Sequence, residues 1–287
     1  AMAKRLLGKE VNARLNARIQ ADYDALKARG ILPTLAIIRC GERPDDLSYE
    51  RGATKRAETL GVAVEKFVLP ESVSKQELLD TIDAANQNDA IHGILLFRPL
   101  PKHLKSDQDE ISNRVDPRKD VDGMTDLSNA GVFMGKELGF APCTPTTCME
   151  ILDYYGIDCT GKSTVIIGRS LVVGKPAAMM LDRENATVTI CNSRTRDLPA
   201  LCREADVVVV AMGKMGAVGA DCLREGQTVV DVGIHVNEEG KLCGDVKFAE
   251  AESIVDAITP VPGGVGTVTT SVLVGHVVQA AAKKIGL

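Results

Sequence analysis

The stretch "VIIGRSLVVGKP" (Val165–Pro176) decides the fold. An apolar, β-branched run ends at Gly168, a short loop follows, and Gly174 with Pro176 opens the next segment. β-Branched residues suit a strand and Pro suits the first turn of a helix, so the pattern reads strand–loop–helix. In such a unit the backbone N–H groups at the helix N-terminus can meet a pyrophosphate. The outer glycines are six residues apart, one more than in G-x-G-x-x-G, and Ser170 stands near the middle glycine's place. Gly168, Arg169, Ser170 and Gly174 are therefore candidate cofactor-binding residues, with a plain strand–helix turn as the alternative.

Beyond this unit, "ATVTIC", "ADVVVVAMG" and "QTVVDVG" are apolar runs of strand length with helical stretches between them. A similar series precedes it. Val11, Leu15, Ile19, Tyr23 and Leu26 mark a first helix, followed by the strand "PTLAIIRC", a helix over Ser48–Gly61, the strand "VAVEKFVL", a helix near "SKQELLDTIDAANQ" and the strand "IHGILLFRPLP". Residues 102–140 read mostly as loops with a short helix. A fresh helix starts at "CTPTTCMEILDYYGID", and a last one runs from about Val268 to Lys284. This alternation predicts an α/β fold of two domains: an N-terminal α/β domain and a C-terminal Rossmann-like domain with a parallel sheet. The expected boundaries are 1–145 plus 268–287 for the first and 146–267 for the second.

Across 287 residues, 45% are hydrophobic, 25% are charged and the formal net charge is −5, values that suit a globular protein and offer nucleic acid no basic block. The eight cysteines show no CxxC spacing and several lie in apolar runs, which predicts buried reduced thiols; the four histidines pair with nothing at ligand spacing, so no metal is expected. The N-terminal stretch carries no apolar signal core, and no apolar run approaches membrane-spanning length on this reading. The expectation is a cytoplasmic protein with no membrane partner.

Three further stretches carry chemistry. A strand that presents NAD usually ends in an Asp or Glu for the ribose 2′-hydroxyl, but "ATVTIC" runs into "NSRTR". Ser193, Arg194 and Arg169 suit a 2′-phosphate instead, which favours NADP over NAD; a solvated basic loop is the alternative. "TPVPGGVG" (Thr259–Gly266) combines stiff prolines with glycines that admit close approach, or is a structural turn. "KDVDG" (Lys119–Gly123) sets two carboxylates in a loop, where one can hydrogen-bond a heterocycle or both can be solvated.

Together with "SY" opening the second helix, "GILLFRPLP", "PCTP", "VVDVGI" and "GDV", these stretches resemble the methylenetetrahydrofolate dehydrogenase/cyclohydrolase family, in order and over nearly the whole chain. The resemblance implies a folate cleft between the two domains, the last helix packed on the first domain, and a homodimer. It implies catalytic and substrate-binding roles for Tyr49, stacked on the aminobenzoyl ring, and Asp122, bonded to the pterin. Pro262 and Gly263 would line the substrate site; Gly168, Arg169, Ser170, Ser193 and Ile234 would hold the cofactor.

Two positions depart from the family pattern. The lysine expected one helical turn after the tyrosine is Ala53, and the glutamine that supports it is Phe97. Lys55 lies two residues further on, about 200° around the helix. Hydride transfer needs positioning and an electron push from the folate nitrogens, whereas hydrolysis of the methenyl product needs a tuned acid–base group. The expectation is a dehydrogenase with weak or absent cyclohydrolase activity. The alternatives are a bifunctional enzyme in which Lys55 or Lys119 replaces the missing amine, and an inactive folate- or nucleotide-binding regulatory module.

Overall fold

Strands and helices alternate along the whole chain in the computed structural model, which describes residues 1–287. They fall into two units: Arg14–Cys143 with Thr270–Leu287, and Ala1–Ala13 with Thr144–Thr269. In chain order, a two-residue strand β1 (Lys4–Arg5) and α1 (Gly8–Lys27) precede β2 (Thr34–Cys40), α2 (Pro44–Leu60), β3 (Ala63–Leu69), α3 (Lys75–Gln87) and β4 (Gly93–Leu96). Helix α2 starts before the expected Ser48, because Pro44 suits its first turn and Asp45 and Asp46 sit favourably at its positive end. Residues 102–140 hold more helix than expected: α4 (Gln108–Ser112) and α5 (Asp126–Met134), the second capped by Thr125, whose Oγ1 accepts from Ser128 N at 3.1 Å.

The sheet of this first unit is parallel, in the order β3-β2-β4, with Leu35 opposite both Val64 and Gly93. Ala36, Ile38, Ile82, Ile94 and Leu96 form one buried cluster. A buried ion pair ties β2 to α2: Arg39 Nε donates to Glu50 Oε1 at 3.2 Å and Nη1 to the Gly41 carbonyl at 2.8 Å. Glu50 follows Tyr49, so the pair fixes the helix turn that presents the tyrosine.

The second unit follows with α6 (Cys143–Tyr154), β5 (Ser163–Ile167), α7 (Gly174–Arg183), β6 (Thr187–Cys191), α8 (Leu198–Glu204), β7 (Val207–Val210) and β8 (Thr228–Asp231). The hairpin β9 (His235–Val236) and β10 (Leu242–Cys243), α9 (Phe248–Glu252), β11 (Ala257–Ile258) and α10 (Val265–Lys284) complete the chain. Six parallel strands lie in the order β1-β11-β8-β7-β5-β6. Because β5 stands between β6 and β7, the chain leaves it first to one side and then to the other, and a ligand crevice is expected beyond the carboxyl ends of these strands. Residues 1–13, read as part of the first domain, cluster here because β1 pairs with β11 (Lys4 with Ala257, Arg5 with Ile258). Two residues of strand leave no periodic signal.

Helix α10 corrects another expectation. Its 20 residues are long and apolar enough to cross a membrane by length and composition, but Leu273, Val274 and Val277 are buried within the protein, as in a core helix. All eight cysteines are free, and all but the half-buried Cys243 are buried.

Glu50→Ala leaves the Arg39 charge buried without its carboxylate, and is expected to lower the unfolding free energy by about 3–5 kcal/mol. Joint replacement of Arg39 by Met and Glu50 by Leu should recover most of that loss. Urea unfolding measures both, and a single-variant loss below about 1 kcal/mol would contradict the role given to the pair.

Candidate active site

In the first unit, α2 carries Tyr49 and the segment after β4 carries Phe97. Their rings meet edge to face, with centroids 5.8 Å apart and planes at 85°. Burial, then the nearby Cys143 and Asp122, raise the Tyr49 phenol well above its ordinary value. Asp122 belongs to the same neighbourhood. Its neighbour Asp120 is buried and accepts from Met124 N at 3.0 Å, Thr125 N at 2.8 Å and Ser128 Oγ at 2.7 Å. Burial and then the Asp120 charge push the Asp122 carboxyl up to about 7, against Arg98 and a hydrogen bond with Cys143 that both pull it down. Cys143 is buried, and its sulfur lies 3.6 Å from the Val121 carbonyl, so its single S–H is shared between that oxygen and the Asp122 carboxyl. Arg98 and Cys143 escaped the sequence reading. "FRPLP" and "PCTP" were the available signals, but neither shows which carboxylate its residue faces.

Ala53 is fully buried on α2, and Lys55 is exposed. Lys119, the other expected stand-in for an amine, donates to the carbonyls of Ala85 at 3.0 Å, Asn86 at 2.8 Å and Asn88 at 2.9 Å. Those three bonds use all its hydrogens. Neither lysine is brought to Tyr49.

The second unit builds the glycine loop as a close-approach turn. Gly168 has φ +132°, and a Cβ at Gly174 would overlap the Gly168 carbonyl oxygen, so both positions need glycine. Ser170 Oγ accepts from Val173 N at 3.0 Å, which shapes the loop, and Arg169 and Ser170 are exposed. Gly168 N donates to Cys191 O at 2.9 Å, joining the loop to the end of β6. There Asn192 Oδ1 accepts from Arg194 N at 2.9 Å, and Ser193 and Arg194 project into solvent. The structure thus brings together Gly168, Arg169, Ser170, Gly174, Ser193 and Arg194 at the carboxyl ends of β5 and β6. No carboxylate occupies the 192–194 turn.

Ile234 is exposed, and with Pro262 and Gly263 it lines a separate cavity of about 260 Å³. Two buried carboxylates hold its walls. Asp231 accepts from Gly233 N at 3.0 Å, Asp245 N at 3.1 Å and Val246 N at 3.1 Å; Asp245 accepts from Met212 N at 2.8 Å, Gly213 N at 3.0 Å and His235 Nε2 at 2.7 Å. Burial raises Asp231 to about 6 despite its three backbone donors. These aspartates lie in "VVDVGI" and "GDV", stretches whose chemistry was not legible before the fold. No group of three or more His, Cys, Asp or Glu side chains stands together to hold a metal.

A parallel six-stranded sheet with a glycine turn and exposed arginines at its carboxyl edge defines a dinucleotide-binding domain, here joined to a second α/β domain. Residues 6–122 match the family profile described as "Tetrahydrofolate dehydrogenase/cyclohydrolase, catalytic domain", and residues 142–285 match that family's "NAD(P)-binding domain". The chain belongs to the tetrahydrofolate dehydrogenase/cyclohydrolase family. It is 51% identical to the bifunctional protein FolD of Carboxydothermus hydrogenoformans, over 97% of either chain. The bifunctional FolD structure from Campylobacter jejuni superposes with a TM-score of 0.94 at 39% identity, covering 98% of this chain and 99% of that one. The Trypanosoma brucei FolD structure, complexed with NADP cofactor and inhibitor, gives 0.92 at 31% identity over 100% of both chains.

Held above its ordinary value, the Asp122 carboxyl binds more proton in the folded chain than in the unfolded one between pH 3.8 and about 7. Its contribution to stability therefore falls as pH rises through that window, and Asp122→Asn should remove that part of the slope. Cys143→Ala should move the Asp122 midpoint higher still, because it deletes a bond that favours the carboxylate. Carboxyl NMR titration follows both effects, and a native midpoint in the ordinary carboxylate range would refute the assignment.

Proposed function

We propose that the protein oxidises 5,10-methylenetetrahydrofolate to 5,10-methenyltetrahydrofolate, using NADP in preference to NAD. The observation that carries this reading is the glycine cradle of Gly168 and Gly174 with Arg194 exposed beside it, in a chain of this family. The cradle suits a pyrophosphate, and Ser193, Arg194 and Arg169 suit a 2′-phosphate, so the site's residues fit the group. When bound, the nicotinamide accepts the hydride. The chain's own task is to orient the folate: Tyr49 against the aminobenzoyl ring, Asp122 on the pterin, Pro262 and Gly263 beside it, and Ile234 along the cofactor. As the methylene C–H bond breaks, the folate nitrogens stabilise the cation that forms, so the protein need supply no base for this step.

The second reaction adds water to the methenyl carbon, breaks one C–N bond and moves a proton to the released nitrogen. The relatives' bifunctional names favour a chain that catalyses this step too, over the expectation of hydride transfer alone. We carry that bifunctional reading, with one difference in its machinery. Ala53 offers no amine, Lys55 is exposed and Lys119 is committed to three carbonyls. Asp122, held near neutrality, is the group suited to move the proton. The buried methyl at 53 and the ring at 97 support the second reading, a dehydrogenase with little hydrolysis. A homodimer and a cytoplasmic location belong to the same proposal. The outer strand β6, with its exposed Ile190, is the edge suited to pair with a second copy.

Assaying both half-reactions with both cofactors tests the reading. Arg194→Gln should raise the KM for NADP about tenfold and leave NAD nearly unchanged, since a charge-assisted bond is lost. Hydrolysis of added methenyltetrahydrofolate above the uncatalysed rate, and its loss in Asp122→Asn, is the bifunctional outcome. Hydrolysis at the uncatalysed rate beside intact hydride transfer would establish the second reading, and Ala53→Lys with Phe97→Gln should then gain activity. Folate binding without hydride transfer to either cofactor would overturn both.

A further inference from the structure

A second cavity, of about 390 Å³, opens in the first unit at the other end of β4 from Phe97. His92, on its wall, immediately precedes β4, and five residues of strand rise separate it from Phe97 by about 16 Å. Its lining is unlike that of the candidate active site. Ile91, Leu138 and Phe140 supply an apolar wall, and Lys283 and Lys284 from the end of α10 supply a cationic one.

Three features equip this cavity for an anion. First, the tautomer of His92 is fixed: its Nδ1 accepts from Thr34 N at 3.1 Å, so in the neutral ring the hydrogen sits on Nε2. Burial, and then the charges of Lys284 and Lys119, lower its pKa to about 4, so the ring stays neutral near pH 7 and keeps one donor. No hydrogen bond within the protein engages that Nε2–H, although His92 is only 7% exposed. Second, the carboxylate partners of the two lysines are easily displaced; Lys284 Nζ keeps a further bond, to the Asp89 backbone carbonyl at 2.8 Å. Lys283 lies 3.8 Å from a Glu137 carboxylate that is 84% exposed, and Lys284 lies 3.2 Å from an Asp89 carboxylate that is 96% exposed. Such solvated pairs contribute little, so an incoming anion can replace either carboxylate. Third, Phe140 is fixed in the wall, with its ring 4.9 Å from that of His276 and Lys283 Nζ 4.9 Å from its centroid.

We propose that this cavity is a second small-molecule site, for an organic anion whose carboxylate or phosphate sits between Lys283 and Lys284 and accepts from His92 Nε2–H, with an apolar body about one ring in size against Ile91, Leu138 and Phe140. The volume lies within the range of small-ligand pockets, and an apolar wall with a few convergent polar groups is their usual make-up. Inorganic phosphate alone would leave the apolar wall unused.

Phenyl phosphate, titrated calorimetrically into the full chain with NADP present at saturation, is the probe. NADP is there to occupy the other phosphate-binding loop. The expected result is saturable binding that weakens about fivefold or more in the Lys283→Gln, Lys284→Gln double variant, tightens in Glu137→Gln, and is unaffected by Arg194→Gln. The imidazole resonances of His92 should move with the same saturation curve. No saturation up to about 20 mM, or equal affinity in the double variant, would overturn the site. Inorganic phosphate binding as tightly as phenyl phosphate would overturn the apolar half of the assignment.

Discussion

Paired buried carboxylates, one of each pair held above its ordinary pKa, recur in both halves of this protein. In the second unit Asp245 takes two backbone N–H groups and an imidazole, while Asp231, beside it, takes three backbone N–H groups and is still raised to about 6. Burying a carboxylate is costly unless its lone pairs are met, and here the segments after β7, β8 and β10 supply the backbone donors. The loops are thereby fixed: a shift in any of them strands a buried charge. In the first unit Asp120 takes three donors, and Asp122, two residues on, is left with the proton question. One carboxylate builds the loop, and the other is held near neutrality.

That arrangement explains which parts were legible in the sequence. Runs such as "TLAIIRC" and "VVVV" declare buried parallel strands by apolarity alone, and the Gly168–Gly174 spacing declares a tight strand–helix turn. β1 and β11 are two residues each and exist only because they pair with one another and with β8. Tyr49 and Asp122 stood out in the sequence because their stretches match a family in order, and the fold places them near one another. Arg39 and Glu50 stand eleven residues apart in sequence and meet only once β2 and α2 pack. Cys143 reads as one more buried thiol among eight, and its link to Asp122 joins residues 21 positions apart in the chain. Periodicity reports which side of an element is buried, but not what a buried polar group faces.

The same physics bears on Ala53. A lysine there would need its ammonium desolvated against the Tyr49 face of α2, and the amide expected at position 97 would offset part of that cost. With a methyl at 53 the amide loses its purpose, and a ring at 97 gains an edge contact with Tyr49. Phe97 therefore has a packing role of its own against Tyr49, beside a position 53 that holds only a buried methyl. The change also reaches Asp122. The charges that bear on that carboxyl are Asp120, which raises it, and Arg98, which lowers it; no lysine is among them. An ammonium close by would hold the carboxyl ionised, and without one it keeps its proton into the neutral range. Without an amine at 53, Asp122 is left as a carboxyl that still holds a proton near neutrality. A hydrolysis that runs through this carboxyl should fade as the carboxyl ionises, which distinguishes it from one run by a neutral amine.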